Sequence, residues 1–99
     1  MRVADIKTGS DPRHWAVFER QKRIHKHIAE NGMINPIVVN SNNELQFGGC
    51  RLQYAVLNEW EDIPAIIIDD LYEVRQKQKE MAMLEYTFLP EELIEIKGA

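Results

Sequence analysis

Apolar positions recur with two different spacings along this chain, and these spacings predict a series of strands and helices. Near the N-terminus, the segment Val3 to Ile6 predicts a first strand. A helix is predicted from about His14 to Asn31, and Gly32 ends it. The apolar positions of that helix change register part-way, so a broken helix is an alternative to a continuous one. They are Trp15 and Phe18 before the change, and Ile24 and Ile28 after it.

The middle of the chain has shorter apolar runs, which are typical of buried strands. Ile37 to Val39 and Glu44 to Phe47 flank the turn Asn40-Ser41-Asn42-Asn43, whose chemistry predicts a hairpin. A β-branched run from Ile63 to Ile68 predicts a fourth strand. Between the hairpin and this strand, apolar residues recur at helical spacing; they are Leu52, Ala55 and Val56.

The last third of the chain predicts helix. Asp69-Asp70 can cap a long helix, in which the recurring apolar residues are Leu71, Val74, Met81 and Leu84. Leu89 to Glu92 predicts a short helix that starts again with Pro90 in its first turn. A chain of 99 residues supports one domain with a single small core. We expect residues 1–69 to form that core and residues 70–99 to form a C-terminal helical extension of it.

The most informative chemistry lies where the hairpin gives way to a helix, at Phe47-Gly48-Gly49-Cys50-Arg51. Two glycines let the backbone approach a ligand closely, and the first N–H groups of a helix attract anions. Arg51 would add a planar fork of donors suited to phosphate. The segment therefore predicts a phosphate site, although a glycine pair after a strand is often only a turn.

Four motifs in this order resemble the ParB/sulfiredoxin superfamily. They are a helix at residues 24–28 followed by Gly32, then Asn35-Pro36-Ile37-Val38-Val39, Gly48-Gly49-Cys50-Arg51, and Ile63-Pro64-Ala65-Ile66-Ile67. The similarity covers roughly residues 2–69. It implies an α/β (α+β) fold, with a mixed sheet of about four strands and helices packed around it.

Partition-type members of that superfamily bind the triphosphate of CTP at a Gly-x-x-Arg turn, which implies the same role for Gly48, Gly49, Cys50 and Arg51. The resemblance also implies Arg13, in the loop before the first helix, as a second phosphate ligand; a surface arginine is the alternative. The implied cofactor is a nucleoside triphosphate, CTP or ATP, with Mg²⁺ as a companion ion. The helix-turn-helix with which partition proteins read DNA is not evident, and we expect no room for it after Glu92.

Sulfiredoxins carry a reactive cysteine in a Gly-Gly-Cys-His-Arg turn, whereas this chain reads Gly-Gly-Cys-Arg. If Arg51 is aligned with the family's arginine, Cys50 falls one position late, which turns its side chain by about 100° on a helix. Aligning the cysteines instead would displace Arg51. We therefore favour a packed Cys50 over a redox nucleophile.

Composition and charge exclude several classes. With 44% hydrophobic and 28% charged residues, the chain is ordinary for a soluble globular protein. No apolar run is long enough to cross a bilayer and no signal peptide is evident, so we expect a cytoplasmic protein that does not contact membranes. A single cysteine cannot form an internal disulfide and suits a reducing compartment. A net charge of −4 argues against coating nucleic acid through global charge.

Positive charge is concentrated in the first predicted helix, where Arg20, Arg23 and Lys26 are candidate contacts to a nucleic-acid backbone. A solvated helix face is the alternative interpretation. His25 and His27 point to different faces of that helix, so no metal site is expected there. For Asp69 and Asp70, helix capping is favoured over a Mg²⁺ site.

These observations favour a small ParB-like regulatory or DNA-associated module that binds a nucleotide or a DNA-backbone phosphate at the turn from Gly48 to Arg51. The small size suggests phage or mobile-element origin. A protein partner and a homodimer both stay open. The alternative is an enzyme of the same superfamily that acts on a phosphate, either a nuclease or an ATP-dependent sulfiredoxin-like or kinase-like activity.

Overall fold

A computed structural model describes residues 1–88, and within them the fold is mixed α/β. The helices are α1 (Glu19–Asn31), α2 (Gly49–Leu57) and α3 (Leu71–Phe88), and the strands are β1 (Ile37–Val39), β2 (Leu45–Phe47) and β3 (Ala65–Ile67). Two 3₁₀ turns precede them, at Val3–Asp5 and Pro12–His14. The short helix predicted from Leu89 to Glu92 lies outside the described residues, as does the end of the predicted extension.

The three strands form one mixed sheet in the order β2-β1-β3. The predicted hairpin is confirmed, because β1 and β2 pair antiparallel with Val38 opposite Phe47. Its turn is closed by the Asn40 side chain, whose Oδ1 accepts from the backbone N–H groups of Asn42 and Glu44, each at 3.0 Å. β3 is parallel to β1, with Val38 opposite Ile66, and α2 lies in the connection between hairpin and β3.

The prediction of a strand from Val3 to Ile6 is wrong, and the sheet has three strands among the described residues rather than four. Val3 and Ile6 are three positions apart, so a 3₁₀ turn places both on one side, whereas a strand would point them to opposite faces. Both pack against the core in this turn. The segment makes isolated bridges on either side of the turn, from Arg2 to Asp62 and from Lys7 to Glu44.

The first helix begins at Glu19, later than the predicted start near His14. Asp11 caps the short turn Pro12–His14 by accepting from the backbone N–H of Arg13, and the chain then runs extended through Trp15. The two apolar registers of the sequence therefore belong to different segments. Gly32 ends α1 as predicted, with a positive φ of 81°.

The sheet separates two clusters of buried side chains. Successive residues of β1 point to opposite faces, and all three β1 side chains are fully buried. One cluster contains Ile37 and Val39 with α2, and its buried members are Ile37, Val39, Leu52, Ala55 and Ile63. The other lies against α3, and its buried members are Val38, Val74 and Met81. The sheet therefore has a helix on each face.

The start of α3 agrees with the predicted cap. Asp70 Oδ1 accepts from the backbone N–H groups of Tyr72 and Glu73, at 2.8 and 3.0 Å. Asp69 accepts from the backbone N–H of Ser41 at 2.8 Å, which ties the β1–β2 turn to the start of α3. No helix among residues 1–88 is both long enough and apolar enough to cross a membrane.

Candidate functional site

The turn from β2 into α2 depends on Gly48. Its φ is 100°, in the left-handed region that residues with a Cβ rarely adopt. A Cβ at this position would lie 2.9 Å from Ile37 Cγ2 and 3.1 Å from Ile37 Cα. The close approach of this turn to β1 thus requires glycine for packing as well as for backbone conformation.

Gly49 is different, because neither its φ nor its surroundings require glycine. A Cβ at Gly49 would make an ordinary contact of 3.5 Å with the Trp15 ring. Gly49 is the first residue of α2, so the backbone N–H groups of the first helical turn are those of Gly49, Cys50 and Arg51. The prediction that the glycine pair lies between a strand and a helix is confirmed.

A cavity of about 360 Å³ opens beside this turn, and we call it the Gly48 cavity. Three elements supply its walls: the first two turns of α1, the segment from the end of β2 into α2, and α3. The lining residues are Arg20, Gln21, Ile24, Phe47, Gly48, Gly49, Cys50, Arg51, Gln78 and Met81. Two helix starts, those of α1 and α2, therefore meet at one cavity, and each carries a partial positive charge.

The part of the Gly48 cavity lining that the structure describes carries positive charge. Arg20 and Arg51 both line the cavity, and the part of the lining that the structure describes contains no carboxylate. Arg20 is exposed, whereas Arg51 is 7% exposed. Burial lowers the pKa of the Arg51 guanidinium below its usual value because the charged form loses hydration, and the neighbouring Cys50 sulfur opposes this shift. An anion in the cavity would favour the charged form of Arg51.

Cys50 lines the same cavity and is half-buried. Its backbone carbonyl lies 3.1 Å from His25 Nε2, which joins the start of α2 to the middle of α1. The His25 ring in turn meets the Tyr54 ring edge-on, with centroids 5.5 Å apart. His25 thus has a structural position between the two helices, and it holds the α2 start beside α1.

The predicted second phosphate ligand, Arg13, lies elsewhere. Its guanidinium donates to both carboxylate oxygens of Asp11, with the shortest distance 2.7 Å from Nη2 to Oδ2. This pairing lowers the pKa of Asp11 to about 2, through the side-chain hydrogen bond first and the backbone N–H of Arg13 second. Arg13 is exposed and does not line the Gly48 cavity.

The other basic candidates also differ in whether they line the Gly48 cavity. Arg20 lines the Gly48 cavity, whereas Arg23 and Lys26 do not. Arg23 is half-buried, and Lys26 is exposed with its Nζ 4.0 Å from Glu30 Oε1. The structure therefore brings Arg20 together with the turn from Gly48 to Arg51, and leaves Arg23 and Lys26 along the rest of α1.

For the metal candidates, the described residues contain no group of three or more His, Cys, Asp or Glu side chains that could hold an ion. Asp70 caps α3 and Asp69 binds the β1–β2 turn, so the capping interpretation is confirmed for Asp70. His25 packs between α1 and α2 as described above.

Sequence reasoning missed the contribution of α3 to the cavity. Gln78 lies four residues after Val74 and three before Met81, so it is on the same side of the helix as these two buried residues, although Gln78 itself is exposed. That spacing could have placed Gln78 near the sheet, but the polar run around it favoured a solvated face. Gln21 was missed because the first helix was predicted to begin too early, which hid its place in the first turn of α1.

Comparison with models of known protein families gives no match for this chain, and comparison with curated proteins gives none either. The resemblance to the ParB/sulfiredoxin superfamily therefore stays a hypothesis.

Proposed function

We propose that this protein is a ParB-like binding module that holds the phosphate group of a nucleotide, or of a nucleic-acid backbone, in the Gly48 cavity. The observation that carries the proposal is the meeting of two arginines and two helix starts at one cavity whose described lining has no carboxylate. Guanidinium groups and helix N-termini are both established ways to bind phosphate. The motifs that resemble the superfamily include the same turn.

Each part of the cavity has a role in this proposal. The N–H groups at the start of α2 and the guanidinium of Arg51 bind the phosphate group, and Arg20 approaches it from α1. Gly49 supplies one of these N–H groups, and a Cβ at this position would face the Trp15 ring. Phe47, Ile24 and Met81 give the cavity an apolar side, against which a nucleoside would pack.

Calorimetric titration of the full chain with pyrophosphate, CTP, ATP and GTP, with and without Mg²⁺, tests the proposal. Arg51→Ala is expected to weaken binding by roughly 1.5–3 kcal/mol, the range for hydrogen bonds to charged groups. Because Arg51 is buried, Arg51→Lys is compared with it, and circular dichroism checks that both variants fold. Lysine keeps the charge but loses the fork of donors, so we expect an intermediate affinity.

Arg20→Ala and Lys26→Ala form a matched pair, because each removes one exposed positive charge from α1 and only Arg20 lines the cavity. We expect weaker binding for Arg20→Ala and unchanged binding for Lys26→Ala. Equal effects of the two would place the ligand outside the Gly48 cavity, and failure of every ligand to bind would refute the proposal. Release of phosphate or cleavage of DNA in the same samples would favour the enzymatic alternative.

A further inference from the structure

Helix α3 is attached to the rest of the protein through few described side chains. Between residues 71 and 81, only Val74 and Met81 are buried, and they lie a heptad apart on one side of the helix. They contact Val38 of the central strand in the second core cluster. Leu71 and Tyr72, at the start of the helix, are 67% and 70% exposed. Among residues 71–81, the buried contacts of α3 with the sheet thus come from Val74 and Met81.

One polar contact adds to this docking. Asn35 lies between α1 and β1 and is 6% exposed, and its Nδ2 donates to the backbone carbonyl of Met81 at 3.5 Å. This long hydrogen bond joins positions far apart in the sequence. Asn35 does not line the Gly48 cavity, so a change at Asn35 reaches the cavity only through neighbouring structure.

The same turn of α3 that docks on the sheet also forms a wall of the Gly48 cavity. Gln78 and Met81 line it opposite residues of α1 and of the turn into α2. Gln78 is exposed, and its amide can donate to an anion. A ligand in the cavity can therefore contact the arginines on one side and α3 on the other.

We infer that anion binding in the Gly48 cavity and docking of α3 on the sheet stabilise each other, so that the ligand fastens α3 to the body of the protein. This inference rests on the proposed function. A ligand that touches α3 only in its docked position binds the docked state more tightly than a state in which α3 has opened. Coupling of this kind is reciprocal, because the factor by which the ligand favours docking of α3 equals the factor by which docking of α3 tightens the ligand.

Hydrogen exchange of the full chain, with and without saturating pyrophosphate, measures the effect on α3 directly. Pyrophosphate is expected to slow exchange of the amides of residues 74–81 by about fivefold or more, the usual lower range of such coupling. Amides of β1, at the centre of the sheet, serve as the internal reference. Pyrophosphate affinity is measured by calorimetry on the same samples.

Three variants separate coupling from simple loss of stability. Asn35→Ala should speed exchange of residues 74–81 without ligand, and saturating pyrophosphate should slow that exchange again; pyrophosphate affinity should fall only as far as the docked fraction of α3 falls. Gln78→Ala should leave exchange without ligand unchanged and reduce the protection by pyrophosphate. Gln76→Ala, also exposed on α3 but outside the described lining, should change neither quantity.

The outcomes distinguish this inference from the proposed function. If pyrophosphate binds but exchange in α3 slows neither in wild type nor in Asn35→Ala, the coupling is wrong while the phosphate site stands. If pyrophosphate and the nucleotides all fail to bind, the phosphate site is wrong and the coupling falls with it.

Discussion

At the scale of single residues, the two adjacent glycines have separate roles. Gly48 has a left-handed backbone and no space for a Cβ beside Ile37, whereas Gly49 has neither constraint. Gly48→Ala is expected to destabilise the protein by roughly 2–4 kcal/mol, because it combines the cost of a left-handed residue with overpacking. The free energy of unfolding of Gly49→Ala should stay within about 1 kcal/mol of the wild-type value.

Chemical denaturation of both variants measures the difference in the free energy of unfolding. The two substitutions are chemically identical and one position apart, so each is the control for the other. Equal stabilities would contradict the described packing of the turn on β1.

At the scale of elements, Gln53 of α2 positions the segment that precedes α1. Its side chain is 2% exposed, and Nε2 donates to the carbonyls of Pro12 and Trp15, at 3.3 and 3.0 Å. Gln53→Leu would leave both carbonyls without this donor. Because two groups would then be incompletely paired, we expect the free energy of unfolding to fall by roughly 2–4 kcal/mol. Thermal or chemical unfolding measures it.

Gln76→Leu is the control for this prediction, because Gln76 is an exposed glutamine on α3. It should change the free energy of unfolding by no more than about 0.5 kcal/mol. A Gln53→Leu protein as stable as Gln76→Leu would mean that the two hydrogen bonds of Gln53 do not hold the segment in solution.

Local patterns in the sequence were sufficient for some elements and not for others. The hairpin, β3 and the cap of α3 depend on turn residues and short apolar runs, so they were predicted correctly. The start of α1 was not, because the segment from Pro12 to Trp15 is held by Gln53, a residue distant in sequence. For the candidate site, the turn from Gly48 to Arg51 was predicted, but the walls from α1 and α3 depend on tertiary packing that short patterns do not specify.

At the scale of the whole molecule, net charge limits binding to nucleic acid. The chain carries a net charge of −4. On α1, Lys22 lies near Glu19 and Lys26 lies near Glu30, so each lysine has an acidic neighbour. We expect any binding to duplex DNA to be weak and independent of sequence, because the contacts available are to backbone phosphates. With three basic residues in contact, Arg20, Arg23 and Lys26, the slope of log affinity against log salt should be about −2 to −3.

Fluorescence anisotropy on two unrelated duplexes at several salt concentrations measures this slope. Lys26→Ala should lower its magnitude by about one while leaving pyrophosphate binding unchanged, which separates the basic face of α1 from the Gly48 cavity. Tight binding to one duplex that persists at high salt would contradict this prediction. Absence of DNA binding would direct attention to a protein partner of the nucleotide-bound form.

The positions of the two tryptophans give this protein a built-in pair of optical probes. Trp15 lies against Gly49 at the beginning of α2, and its indole N–H donates to Ser10 Oγ at 2.7 Å. Trp60 lies just beyond the other end of α2, where its ring meets Tyr54 edge-on at 5.7 Å. The chain has no other tryptophan, so replacing either one by phenylalanine leaves a single emitter at a known end of one helix. Fluorescence can therefore report separately on the end of α2 at the Gly48 cavity and on the end that leads to β3.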